Sequence, residues 1–198
     1  MNKIAILVSG GGTNLQALID AQKKDMLGGG ELSLVISSRK GVFALDRARE
    51  AGIKTITIER RLMKEQNDFD SAVLNALSEN NIDLVVLAGF LSILGSVVLE
   101  KYKNRVINVH PALIPSFCGK GFYGLHVHEA VLEYGVKVTG ATVHFVNEVV
   151  DGGKIILQKA VDVLPDDTPE SLQQRVMREG EWVLLPKAVK MFFKGEII

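Results

Sequence analysis

Short apolar, β-branched runs alternate with longer amphipathic stretches through the first half of the chain. Ile4 to Val8, Leu32 to Ser37, Lys54 to Ile58, Asp83 to Ala88 and Arg105 to Val109 read as strands. Asn14 to Lys24, Phe43 to Ala51 and Phe69 to Ser78 lie between them with apolar residues at helical spacing, and Gly52 stops the second of these helices. The strands are apolar without alternation, most plainly at Leu84-Val85-Val86-Leu87. Both of their faces must then be covered, which predicts a parallel sheet with helices on either side.

The second half changes character. Asn108 to Tyr123 is rich in Pro and Gly, with Phe117 and Cys118 inside it, and reads as a long ordered loop. Val127, Ala130 and Val131 mark the start of an amphipathic helix. Thr139 to Asn147 and Lys154 to Val163 read as an antiparallel hairpin joined by Glu148-Val149-Val150-Asp151-Gly152-Gly153. Thr168-Pro169-Glu170-Ser171 supplies a helix cap with proline at the first helical position, opening one long C-terminal helix. No repeat or linker interrupts the pattern. Residues 1–198 are expected to form a single domain, with 1–105 as one half and 106–198 as the other.

Composition narrows the partners. Lys plus Arg and Asp plus Glu number 23 each, so no basic excess favours nucleic acid or an anionic membrane. An anionic small substrate would need local donors. One cysteine, Cys118, allows no internal disulfide. The apolar N-terminal run is shorter than a signal-peptide core, and no stretch reaches membrane-spanning length. A cytoplasmic, soluble protein, monomer or homodimer, is the expectation.

Ser9-Gly10-Gly11-Gly12-Thr13-Asn14 joins the first strand to the first helix. Glycine lets backbone approach a ligand, and a helix N-terminus offers free N–H groups to an anion. Thr13 or Asn14 could cap that helix and donate to a phosphate. The run lacks the Gly-Lys-Ser/Thr of a P-loop. Leu15 replaces the third glycine of a dinucleotide fingerprint, and Ser37-Ser38-Arg39 offers no acid for a ribose diol. A monophosphate is the favoured ligand. A dinucleotide-binding redox module is the reading from another class, kept open only by Arg39.

Ile107-Asn108-Val109-His110-Pro111 ends the fifth strand. Residues two apart share a strand face, so Asn108 and His110 project together from the carboxyl edge, where parallel sheets bind ligands. An amide beside an imidazole suits acyl transfer: both donate to a developing oxyanion, and histidine also moves protons. Asp151, in its glycine-flanked turn, is the expected partner, and its charge is expected to keep His110 protonated. His126 and His128 lack further ligands for a metal, and His144 reads as structural. No base accompanies Cys118, so no thiol nucleophile is expected.

Four segments resemble, in order, the landmarks of the glycinamide ribonucleotide formyltransferase family: Gly10-Gly11-Gly12-Thr13-Asn14-Leu15-Gln16, Leu87-Ala88-Gly89-Phe90-Leu91-Ser92-Ile93-Leu94, Asn108-Val109-His110-Pro111-Ala112-Leu113-Ile114-Pro115 and Val150-Asp151-Gly152-Gly153. The resemblance covers nearly the whole chain. It implies an α/β, Rossmann-like, mostly parallel sheet with an antiparallel C-terminal extension. It implies transfer of formyl from 10-formyltetrahydrofolate to a phosphorylated glycinamide, with no metal. Asn108, His110 and Asp151 would be catalytic. Gly11, Gly12, Thr13 and Asn14 would hold phosphate, and Glu181 the ribose hydroxyls. That last match needs a one-residue slip, so Glu179 stays open. Leu91, Ser92, Ile93, Leu94, Asn108, Asn147, Glu148, Val149, Val150 and Asp151 would line the pterin pocket, with Val85 at its border. Two features depart from the family pattern. Ser92 stands where an arginine is common, and the loop from Ser116 to Gly124 is longer than in many members. Deformylases and other formyltransferases of the superfamily usually carry a further domain, for which 198 neutral residues leave no room.

Overall fold

A computed structural model of the chain describes residues 2–197; Met1 and Ile198, the ends of the expected domain, lie outside them. Its strands are β1 (Asn2–Val8), β2 (Gly30–Ser37), β3 (Lys54–Thr57), β4 (Leu84–Leu87), β5 (Val106–His110), β6 (Val138–Phe145) and β7 (Ile155–Asp162). Its helices are α1 (Thr13–Lys23), α2 (Phe43–Glu50), α3 (Gln66–Glu79), α4 (Ser96–Lys101), α5 (Leu125–Tyr134), α6 (Pro169–Val176) and α7 (Trp182–Phe193). The strands form one sheet in the order β3-β2-β1-β4-β5-β6-β7. The pairs from β3 to β5 are parallel, and β6 and β7 extend the sheet antiparallel, as expected.

Strand period two explains the layers. Along β1, Ile4, Ile6 and Val8 enter one buried cluster, shared with Leu15 and Leu18 of α1 and Leu184, Leu185, Ala188 and Val189 of α7. Ala5 and Leu7 enter the other, against Phe69, Val73 and Leu77 of α3 and Val98 of α4. Val85 lies fully buried in that second cluster rather than at the border of a pocket, because alternation along β4 turns it inward.

The C-terminal helix differs from the single long element expected. Thr168 caps α6 as the sequence suggests: its hydroxyl accepts from the Ser171 amide at 3.2 Å, and the Ser171 hydroxyl accepts from the Thr168 amide at 2.9 Å. A π-helical turn, Met177–Glu181, then separates α6 from α7. Gly180 lies in it because a Cβ there would stand 2.9 Å from the Ala141 Cβ on β6. The short α4 has no sequence signal beyond Gly95 before it. Among the described residues, no helix is long and apolar enough to cross a membrane.

Candidate active site

β1 lies between β2 and β4, so the chain leaves its carboxyl end in opposite directions and opens a crevice there. Ser9 braces that crevice: its hydroxyl is 2.6 Å from that of Ser38 and accepts from the Leu91 amide at 2.9 Å. Gly12, at φ 73° and ψ 34°, is the residue that caps α1, and no side chain caps it. Thr13 and Asn14 are therefore the first residues of the helix, not its cap. The Asn14 amide instead donates to Glu181 across 2.7 Å.

Glu181 is the last residue of the π turn between α6 and α7. It is 5% exposed and lines the crevice, whereas Glu179 is exposed and points elsewhere. Burial raises the Glu181 carboxyl to about 7, even though the Asn14 bond pulls the other way.

Asn108, His110 and Asp151 converge. Both residues of β5 face the turn that follows β6, and Asp151 reaches them in a left-handed conformation at φ 55°. Its Oδ2 is 3.7 Å from Nδ1 of His110. Gly153 makes the approach possible: a Cβ there would fall 1.6 Å from the Phe145 carbonyl oxygen. His144 joins them, contrary to its structural reading. The β5–β6 pairing sets His144 opposite Asn108, its Nε2 lies 3.1 Å from the Asn108 amide nitrogen, and the same atom is 3.7 Å from Asp151 Oδ1.

The hydrogen bonds assign tautomers. A carbonyl only accepts, so His144 Nδ1 donates to the Phe145 carbonyl at 2.8 Å, and Nε2 accepts from Asn108. By the same logic His110 Nε2 donates to the Phe117 carbonyl at 2.8 Å. That leaves Nδ1 of the neutral ring as an acceptor, facing Asp151.

The expectation of a protonated His110 meets an opposing effect in the fold. Burial lowers its pKa below the ordinary imidazole value, outweighing the opposing pull of Asp151 and the Phe117 bond. The Asp151 carboxyl is held below its ordinary value against the cost of its own burial, with the Gly119 amide donating to it. Burial thus favours a neutral imidazole beside a charged carboxylate.

The long loop covers this edge. Phe117 packs edge-on against Phe122 and Tyr134, at ring separations of 6.3 Å and 5.9 Å, and the Gly119 amide donates to Asp151 Oδ2 at 2.8 Å. His128 lies buried behind it on α5, where burial and the neighbouring His110 push its pKa down to about 4. His126 is exposed and pairs with Glu129 at 2.8 Å. The Cys118 thiol is pushed up by burial and bonds the Pro115 carbonyl.

One cleft of about 940 Å³ joins the glycine turn, Glu181, Asn108, His110, His144 and Asp151. The glycine turn, Asn14 and Glu181 form one arm. Leu91, Ser92, Ile93 and Leu94 on one side, with Asn147, Glu148, Val149 and Val150 on the other, form the second. Leu91, Ile93, Val149 and Val150 leave apolar surface exposed at its rim. Among the described residues, no group of three or more His, Cys, Asp or Glu is placed to hold a metal ion.

Known proteins resemble the chain over nearly its whole length. The formyl transferase family profile matches residues 2–189. The chain is 44% identical over 195 residues to the trifunctional purine biosynthetic protein adenosine-3 of Gallus gallus, covering 98% of this chain but 19% of that protein. It thus spans about a fifth of such relatives' length. It is 36% identical to the phosphoribosylglycinamide formyltransferase of Haemophilus influenzae, covering 100% of this chain and 90% of that one. The crystal structure of glycinamide ribonucleotide transformylase 1 from Symbiobacterium toebii superposes with a TM-score of 0.93 at 39% identity, over 100% of this chain and 90% of that one. That of phosphoribosylglycinamide formyltransferase from Bacillus halodurans gives 0.90 at 34% identity, over 96% and 95%. With the profile matching residues 2–189 and a 36% identical relative covered over 90% of its length, the chain belongs to the formyl transferase family.

Proposed function

We propose that this chain transfers the formyl group of 10-formyltetrahydrofolate to the amine of N1-(5-phosphoribosyl)glycinamide, a step of purine biosynthesis, in the cytoplasm and without a metal. Gly11, Gly12, Thr13 and Asn14 hold the phosphate through backbone N–H groups and the helix dipole. Glu181 accepts from the ribose hydroxyls. The apolar arm takes the folate ring, with the backbone from Asn147 to Asp151 bonding its polar edge.

One observation carries the reading: two acceptors, His110 Nδ1 and Asp151 Oδ2, face each other across 3.7 Å at the junction of the two arms. Two acceptors do not bond each other, but an attacking amine brings N–H donors for both. The amine must be neutral to attack, and an anionic pocket with a neutral imidazole can take its proton as the bond to the formyl carbon forms. His110 then carries a charge that Asp151 balances. The imidazolium and the second N–H of the Asn108 amide, whose first bonds His144, stabilise the oxyanion of the tetrahedral adduct. Asp151 helps return the proton to the leaving folate nitrogen. One missing oxyanion donor costs on the order of 10²–10³ in rate.

The test is product formation. Mixing the chain with the formylfolate and the ribonucleotide should give the ultraviolet change of deformylated folate, together with a formylated ribonucleotide. Folate released at the same rate without the ribonucleotide would mark a hydrolase instead.

A further inference from the structure

The glycine turn is held from behind by α2. The Gly10 carbonyl accepts from the Ala44 amide at 3.2 Å, and the Gly11 carbonyl accepts from Nε of Arg47 at 3.0 Å. In a planar trans peptide the carbonyl and the following N–H point in opposite directions. Pinning these two carbonyls to α2 therefore aims the Gly11 and Gly12 amides away from it, toward the cleft those residues line. Among the described residues, neither amide donates to another group of the chain.

Arg47 is itself fixed. Its NH1 donates to Gln16 Oε1 of α1 at 2.9 Å, and its guanidinium lies 4.7 Å from the centre of the Phe43 ring. Among the described residues no carboxylate pairs with it, so its charge stands uncompensated behind the turn. A guanidinium on one end of a peptide polarises it and strengthens the N–H at the other end as a donor to an anion.

We infer that Arg47 is a positioning residue for the substrate phosphate, acting through the Gly11–Gly12 peptide rather than by touching the ligand. This deepens the proposed reading of the glycine turn and rests on it. Arg47 straps two helices to the turn and orients its donors. Lysine in its place keeps the charge but loses the planar fork that reaches Gly11 and Gln16 together.

The experiment measures the KM of each substrate, kcat, and competitive inhibition by inorganic phosphate, for the full chain and for Arg47→Ala, Arg47→Lys and Gln16→Ala. Losing one charge-assisted bond should raise the ribonucleotide KM and the phosphate inhibition constant about tenfold in Arg47→Ala. Arg47→Lys and Gln16→Ala should show smaller rises in both constants. The formylfolate KM and kcat should change less than about twofold throughout. If phosphate inhibits Arg47→Ala as well as it inhibits the parent, the role of Arg47 is overturned while the phosphate turn stands. Where Arg47→Ala does not fold, unchanged phosphate inhibition in both Arg47→Lys and Gln16→Ala overturns it equally. If phosphate does not compete with the ribonucleotide in the parent, the phosphate turn falls as well.

Discussion

His110 Nε2 donates to the Phe117 carbonyl across 2.8 Å, and that one bond decides which face of the imidazole meets the reaction. With Nε2 committed to the loop, Nδ1 is the atom left for chemistry, 3.7 Å from Asp151. In the proposed reaction the loop therefore acts through its backbone, without contributing a side chain. Its Phe117 carbonyl fixes the tautomer and its Gly119 amide fixes the carboxylate.

Asp151→Asn keeps the shape and removes the charge. The amide can no longer balance an imidazolium or accept the amine proton. Turnover should fall by about 10²–10³, with both KM values nearly unchanged. His110→Ala should fall at least as far. The double variant should lose little more than the worse single one, because the two groups act as a unit. Steady-state kinetics on the three proteins decides it; near-full turnover in Asp151→Asn removes the mechanism.

The acidic limb of the pH–rate profile should report His110. Nδ1 accepts a proton only while the ring is neutral, so activity should fall as pH drops through the His110 pKa. Burial places that pKa below the ordinary imidazole value, so the enzyme should remain active in mildly acidic buffer. Asp151 opposes this shift, raising the pKa, while His144 lowers it. The residual activity of Asp151→Asn should accordingly keep its limb at still lower pH. A limb that moves upward in that variant contradicts the assignment.

Much of this site was readable from local pattern. Glycines after an apolar run, Asn108 and His110 two apart before a proline, and Asp151 before two glycines each carry their geometry in adjacent residues. What escaped depends on pairing across the chain. His144 looks like any strand residue until the β5–β6 register sets it opposite Asn108. Thr142 and His144 share one face of β6 at period two, and that was the signal available. The π turn is equally silent, since it arises from fitting Gly180 against Ala141 on a strand far off in sequence. The direction in which the His110 pKa moves was hidden for a related reason. The partner was visible in the sequence, but the depth of burial that outweighs it was not.

The adjacent glycines of the turn separate two effects. A Cβ on Gly12 would stand 2.7 Å from the Ala44 Cβ, and its φ of 73° disfavours any side chain. Gly12→Ala should lose about 1–3 kcal/mol of stability, along with ribonucleotide affinity. A Cβ on Gly11 meets nothing within 4 Å. Gly11→Ala should melt like the parent, yet its methyl group borders the cleft and should raise the ribonucleotide KM while leaving the folate KM alone. Thermal melts and paired KM measurements check both. Equal loss of both substrates in Gly11→Ala would mean that this turn does not serve the phosphate arm.

Glu181 links the ribose arm to stability through pH. Its carboxyl is raised from 4.5 to about 7, with burial the dominant cause, so the folded state binds this proton more tightly than the unfolded chain. The stability this confers is fully present below pH 4.5 and is lost as pH rises through 7. Ionising the group inside the fold then costs about 3 kcal/mol by pH 8, as an upper figure. Glu181→Gln keeps an oxygen to accept from Asn14 and has no charge to bury. Relative to the parent it should gain little at pH 5 and up to about 3 kcal/mol at pH 8 in denaturant unfolding. The same change should weaken the ribonucleotide most at high pH, where the parent offers a carboxylate to the ribose hydroxyls and the variant offers a weaker amide acceptor. Stability would then rise as affinity falls, the pattern of a group kept for binding at a cost to the fold. A stability difference between the two proteins that stays flat from pH 5 to pH 8 would show that Glu181 does not titrate there.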